Sequence, residues 1–422
     1  MPADTPKVGK KEAMTIPEVK STPEFRVTVV SYHMTANGTS RPNCVTRAIK
    51  DMPFLGKVCM VASNYDHFTK STVPTNGIVR LAVRPYTKNI SLKRILSYFD
   101  FARQVNQTAE VMEADLVYVC VPDYFSALAL IHGTTRRRRM VIVDVVDLWP
   151  EAFPLSPLIN RLLKSILKIV FRPLRRHYFR KANLVLFQSR HFMKQFSKND
   201  DNYRFLPMCL SGKATPSLDG LRTSIREEIR ILFLGSLNSI TDTESLIAML
   251  GLMTRQRKVC LSVLGGGHGL SKLEKRLAST TVRLVVRGIT FDQRVREEEL
   301  TQAHFGFNGY KETTEVSVSY KALDYLQHGL PMINCTKGDL AKITNDSHCG
   351  LNYEPGKIKE TVERILSLSD YDHQKMCENA RRAFEGNYSY EHFRATLTGY
   401  VEGLLVSDRS RDTGKAKKLD HQ

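Results

Sequence analysis

The feature that most restricts this chain is a set of short, wholly apolar, β-branched runs separated by longer helical stretches, a pattern that occurs twice. From Phe25 the runs are FRVTVVSY, KVCMVAS, DLVYVCVP, MVIVDVVDLW and NLVLFQS. Runs that are apolar throughout need cover on both faces, which a parallel sheet with crossover helices supplies. The stretch LPMCLSGKATPSLDG, rich in Pro, Gly and Ser, interrupts the pattern and reads as a linker. Then it resumes with IRILFLGS, VCLSVLGGG, VRLVVRG, HFGFNGY, LPMINC and CGLNY. The expectation is an α/β chain of two Rossmann-like, doubly wound domains at 25–206 and 229–387, with a linker at 207–228. A closing segment at 388–406 has helical apolar spacing. The polar lead-in 1–24 and the charged tail 407–422 are expected to be disordered.

A chain of 422 residues is long enough for two cores. Its formal net charge of +19 asks for an acidic partner: nucleic acid, a phosphorylated substrate or an anionic membrane. The eight cysteines stand singly, with no CxxC spacing and no paired histidine ligands, so reduced thiols and no metal framework are expected. Residues 1–24 lack the apolar core of a signal peptide. Lys or Arg interrupts every candidate before the roughly 20 apolar residues that span a bilayer, so any membrane contact is expected to be peripheral and the protein cytoplasmic.

In open parallel sheets ligands bind at the carboxyl ends of strands, where glycine turns let backbone N–H groups approach phosphates. The candidate turns hold Gly38, Gly235 and Gly265 to Gly269. None fits a Walker A pattern or GxGxxG with a suitable acidic residue. The richest stretch is 304–335. A strand there ends in a polar loop, a helix starts near Ser319 or Tyr320, and Gly-Leu-Pro stops it after His328. Lys321 falls in the first helical turn, where free N–H groups and an ammonium suit a diphosphate. Asp324, one turn on, could accept hydrogen bonds from ribose hydroxyls.

The run SYKALDYLQHGLPMI resembles the donor-binding segment of retaining glycosyltransferases of family 4. The run VVDVVDLWPE resembles the Asp-Leu-Trp-Pro-Glu segment of a subgroup acting on bacterial surface polysaccharides. The resemblance extends from about Phe25 to Leu405. It implies the GT-B fold, two Rossmann-like domains facing across a cleft with the last helix crossing back. It places Arg287 and Gly288 near the base of a nucleotide sugar, Ser317, Val318, Ser319, Tyr320 and Lys321 at its diphosphate, and Asp324 on its ribose, while Gly38 closes on the phosphates from the first domain. Many relatives carry Arg directly after the glycine of the LGS turn and Lys a few residues on. Here those positions are Ser236 and Thr241, so Lys321, Arg287 or Lys337 must supply the charge. Relatives also often carry two glutamates eight residues apart. The second is Asp324 in this chain, and the first position is Val316, with Glu315 one place off.

The reaction so implied moves a sugar from a nucleoside diphosphate to a saccharide or lipid-phosphate-linked acceptor. The nucleotide sugar is a co-substrate, and no other cofactor is expected. Leaving-group stabilisation can come from helix N–H groups and cations without a metal, and no DxD-like element stands at a strand end. The acceptor hydroxyl must lose a proton. Asp144 and Asp147 are the first-domain carboxylates best placed to take it, with Glu151 a lesser candidate. Residues 155–181 carry an apolar helical stripe flanked by Arg161, Lys164, Lys168, Arg172, Arg175 and Arg176, without an acidic residue. That is the pattern of a helix lying on an anionic bilayer. Three other functions compete with transfer: an inactive partner subunit, for which Ser236 leaves room; a nucleotide-sugar epimerase; and nucleic-acid binding, which lacks a motif and aromatic stacking platforms.

Overall fold

The computed structural model describes residues 25–34, 40–67, 69–88, 91–121, 123–134, 139–146, 169, 171–196, 200–210, 222–290, 292–312, 314 and 316–419. The first-domain strands are β1 Val27–Ser31, β2 Val58–Ser63, β3 Val79–Leu81, β4 Leu116–Val121, β5 Met140–Val145, β6 Leu184–Phe187 and β7 Tyr203–Phe205. They form one parallel sheet in the order β3-β2-β1-β4-β5-β6-β7. The second-domain strands are β8 Glu228–Ser236, β9 Lys258–Gly266, β10 Arg283–Gly288, β11 Phe305–Asn308, β12 Met332–Asn334 and β13 Gly350–Asn352, in the order β10-β9-β8-β11-β12-β13. Every apolar run expected as a strand is one. The two strands not expected, β3 and β7, are the three-residue edges of the first sheet.

Helices cover both faces of each sheet. In the first domain these are α1 Arg41–Lys50, α2 Leu92–Val105, α3 Ala109–Met112, α4 Tyr124–Thr134, α5 at residues 171–179 and α6 Arg190–Phe196. In the second they are α7 Thr243–Met253, α8 Leu270–Leu277, α9 Gln293–Gln302, α10 Tyr320–Gln327, α11 Asp339–Asp346, α12 Ile358–Ser367 and α13 Asp370–Asn387. The last helix, α14, runs from Tyr390 to Leu419, so the tail expected to be disordered from Ser407 is helical through Leu419.

Each domain has a core on either side of its sheet. Val30, Val119 and Val143 face one way in the first sheet and Val29, Tyr118 and Ile142 the other, the alternation a pleated strand imposes. Phe393, Leu397 and Val401 of α14 belong to the first-domain core, whereas Phe384 of α13 belongs to the second. The chain thus crosses between domains twice. The crossings lie side by side, with the Leu210 N–H donating to the Tyr388 carbonyl at 3.3 Å and Leu210 paired with Ser389 as a parallel bridge. Among the described residues no helix is long and apolar enough to cross a membrane.

Candidate functional site at the domain cleft

Helix α10 follows β11 after the loop 309–319, and its start is fixed from several directions. Ser319 caps it: the hydroxyl accepts the Ala322 N–H at 3.3 Å and donates to Oδ1 of Asn308 at 2.8 Å. Asn308 Nδ2 donates to Oδ1 of Asn334 at 2.8 Å, and Asn334 Nδ2 to Oδ1 of Asn352 at 2.7 Å. These three asparagines stand in register at the carboxyl ends of β11, β12 and β13 and form a ladder, buried at Asn308 and Asn334. One turn into α10, Tyr325 lies on the sheet over Gly306, where a Cβ would come within 2.4 Å of the ring. Its hydroxyl accepts the Leu234 N–H at 3.0 Å. Gly329, with φ +58°, ends the helix as Gly-Leu-Pro predicted.

This frame holds Lys321 between two aromatic faces. Its ammonium is 4.6 Å from the centre of the Phe233 ring and 4.4 Å from that of Tyr310, and no carboxylate pairs with it among the described residues. Burial pushes the amine down to about 7, so near neutral pH it is poised to take up a proton when an anion arrives. Tyr310 also lines a cavity of about 770 Å³ between the domains, bounded by His191 and Gln195 on one side and Lys311, Val316 and Lys337 on the other. Volumes of this order suit a nucleotide-sized ligand.

Tyr320, at the first position of α10, is 45 % exposed, and its neighbours Arg41, Cys44 and Cys209 belong to the first domain and the domain connection. The start of α10 therefore faces the start of α1. There Ser40, the cap residue, makes no capping bond, and its buried hydroxyl has no partner among the described residues. Two helix N-termini converge on one gap, and both favour negative charge. Ser317 is already engaged across the cleft. It meets the Ser189 hydroxyl at 2.6 Å; Ser189 donates to Asp339 Oδ2 at 2.7 Å, and the Ser317 oxygen lies 3.2 Å from the same carboxylate oxygen. Val318 packs partly buried in the second-domain core.

Other expected donor residues have partners of their own. Arg287 pairs with Glu299 at 2.7 Å, and Gly288, with φ +70°, sits at an irregularity in β10. Asp324 pairs with Arg296 of α9 instead of standing open to a ribose. Burial raises its carboxyl and Arg296 opposes the rise. Gly235 has φ +102° and open space around it, and Ser236 beside it is exposed. The Thr241 hydroxyl donates to the Ser236 carbonyl at 3.3 Å. Glycines 265 to 269 serve packing: a Cβ on Gly265 would stand 1.8 Å from the Gly235 carbonyl oxygen.

Two expectations need correction. Asp144 is 0 % exposed and cannot meet an acceptor. Its oxygens take Arg41 Nε at 2.7 Å, Arg41 Nη2 at 2.9 Å and the Tyr118 hydroxyl at 2.8 Å, so it anchors α1 to the sheet. Arg175 faces inward, its guanidinium 3.7 Å from the centre of the Phe196 ring, while Arg176 pairs with Asp200 at 3.4 Å. Of the basic stripe, Arg172 is exposed. Gly38, Asp147, Glu151, Arg161, Lys164 and Lys168 lie outside the described residues. Sequence reasoning missed Phe233, Tyr310 and the asparagine ladder. The only signal was the repeated placing of Asn at strand ends.

Two doubly wound domains joined by a double crossing, with helix starts facing across a cleft, make this a GT-B fold. Solved structures agree. The chain is similar to HepE from Anabaena in complex with UDP, at 14 % identity and a TM-score of 0.62 over 90 % of this chain and all of that one. It is similar to a sucrose-phosphate synthase from Thermosynechococcus elongatus, at 12 % identity and a TM-score of 0.67 over 91 % of this chain and all of that one. A third is the lipopolysaccharide outer core galactosyltransferase WaaB, at 12 % identity and 0.57 over 90 % of this chain and all of that one. No protein-family model and no curated protein matches the sequence.

Proposed function

We propose that this protein is a glycosyltransferase. It moves a hexose-type sugar from a nucleoside diphosphate to a saccharide or lipid-phosphate-linked acceptor in surface-polysaccharide synthesis, with retention of configuration and without a metal. The observation that carries this reading is Lys321, a desolvated cation at the first turn of a helix that opens on the cleft. As the bond from sugar to diphosphate breaks, negative charge grows on the leaving oxygen. An ammonium and two helix starts stabilise that charge more than they stabilise the intact donor. UDP is the first nucleotide to try, because HepE was solved with it. The acceptor class follows from the Asp-Leu-Trp-Pro-Glu resemblance, and WaaB's lipopolysaccharide role is in keeping with it. The test is incubation with a panel of nucleotide sugars, reading nucleotide release and thermal stabilisation. No response to any donor would overturn the proposal.

The basic helical stretch is proposed to lie on the anionic inner face of the cell membrane through Arg161, Lys164, Lys168 and Arg172, bringing a lipid-linked acceptor to the cleft. A second reading, a partner subunit with little turnover, is favoured by Ser236 and Thr241 at positions where many relatives place Arg and Lys. Binding of UDP with no sugar transfer to any acceptor would favour it.

A further inference from the structure

At the carboxyl ends of β1, β2 and β3 basic and aromatic side chains converge. Arg94, in the first turn of α2, donates to the Tyr98 hydroxyl oxygen twice, from Nε at 2.9 Å and Nη2 at 2.7 Å. A phenolic oxygen has two lone pairs, so both are taken and the Tyr98 hydrogen turns to its other neighbour, Nε2 of His33 at 3.1 Å. The His33 proton therefore sits on Nδ1, which is buried and has no hydrogen-bond partner among the described residues. That is an orphan donor in a place where leaving one unmet is costly.

The His67 ring lies 5.1 Å from that of His33. Its Nδ1 meets the Tyr86 hydroxyl at 2.8 Å, with the Lys70 ammonium 3.4 Å away. Lys70 is held against the Tyr86 ring at 4.8 Å in a left-handed backbone conformation, φ +58°, that a lysine rarely adopts. Burial and the surrounding cations depress the basicity of His33, His67 and Lys70 together, and Asp66 is the nearby carboxylate that opposes this for His67 and Lys70.

We infer that His33, His67, Lys70 and Arg94 form a binding pocket for a phosphate group. An incoming oxyanion accepts the His33 Nδ1–H and lies among the side chains of His67, Lys70 and Arg94. The pocket lies on the edge of the first sheet from which α1 also rises. On the glycosyl-transfer reading, the phosphate is the acceptor's; the pocket itself does not depend on that reading.

The test is nitrogen-detected NMR of the histidine rings in the full chain during titration with inorganic phosphate, with UDP binding measured in parallel. The expected result is saturable movement of the His33 and His67 ring nitrogens. Lys70→Asn, which keeps a residue tolerant of positive φ, weakens it about tenfold, and UDP affinity is unchanged. Arg94→Gln serves as a second variant. Glycerol phosphate in solution and phosphatidic acid in otherwise neutral vesicles then separate a soluble from a lipid-borne phosphate. Ring signals that ignore phosphate, or that move equally in Lys70→Asn, overturn the inference. Loss of UDP binding with the ring shifts intact would instead remove the donor site and leave this pocket standing.

Discussion

Arg41 and Asp144 form a fully buried, two-point ion pair that joins the start of α1 to the end of β5, 103 positions away in sequence. Arg41 also donates to the carbonyls of Leu206 and Pro207, at 2.9 and 2.7 Å, so one guanidinium holds α1, the sheet and the domain connection together. Asp144→Asn leaves that guanidinium buried without its counter-charge, which typically costs about 3–5 kcal/mol. Thermal and urea unfolding will show a large loss of stability, with UDP still bound by the protein that remains folded in the cold. A stable but inactive variant would return Asp144 to the chemistry.

Lys321→Ala should weaken UDP binding by roughly ten- to a hundredfold, the range for a charge-assisted contact. The amine titrates near 7 in the empty site, and a bound diphosphate favours the charged form, so binding takes up a proton above that pH. Affinity then falls by up to about tenfold per pH unit from 7 upward. Lys321→Arg, which keeps its charge, should flatten the profile in calorimetric titrations. The ligand-free protein behaves in the opposite sense. The unfolded chain holds this proton up to about 10.5, so Lys321 favours folding most above that pH, and its contribution is lost as pH falls towards 7.

Ser319→Ala removes both the cap of α10 and its tie to Asn308. The cap alone is worth about 1 kcal/mol of stability. Because Lys321 follows two residues later, the loss should be larger in UDP affinity than in unfolding free energy. Equal losses would mean that the asparagine ladder supports the domain without orienting the site.

Gly265→Ala sets a methyl group 1.8 Å from a backbone oxygen of the adjacent strand, where no rotamer gives relief. Destabilisation beyond about 4 kcal/mol is expected, seen as loss of soluble protein. Gly235→Ala meets open space, so its cost comes from positive φ alone, about 1–3 kcal/mol.

For membrane attachment, Arg172→Glu should lower sedimentation with anionic vesicles, each basic residue near the surface adding about 1 kcal/mol. Arg175→Met should leave sedimentation unchanged, because that guanidinium is packed against Phe196. Equal effects of the two would contradict the inward placement of Arg175.

The fold was legible because strands covered on both faces have no polar alternation to hide them. The edge strands β3 and β7 escaped because three residues carry too little pattern. The start of α10 was legible from Ser319, Lys321 and the Gly-Leu-Pro stop. What surrounds Lys321 was not. Phe233 reads as an ordinary core residue of a distant strand, and nothing local marks its ring as a surface for an ammonium. Asp144 misled for the same reason in reverse. A carboxylate at a strand end looks the same whether it faces substrate or an arginine, and only the folded chain brings Arg41 to it. His33 and His67 stand alone in sequence, and their shared surroundings depend on α2 packing over the ends of β1 to β3.

The side-by-side crossings at Leu210 and Ser389 have a mechanical consequence. Two chain crossings bonded side by side leave the domains fewer independent ways to move than a single connecting strand of chain would. Any change in the gap between Tyr320 and the first turn of α1 must carry both crossings with it.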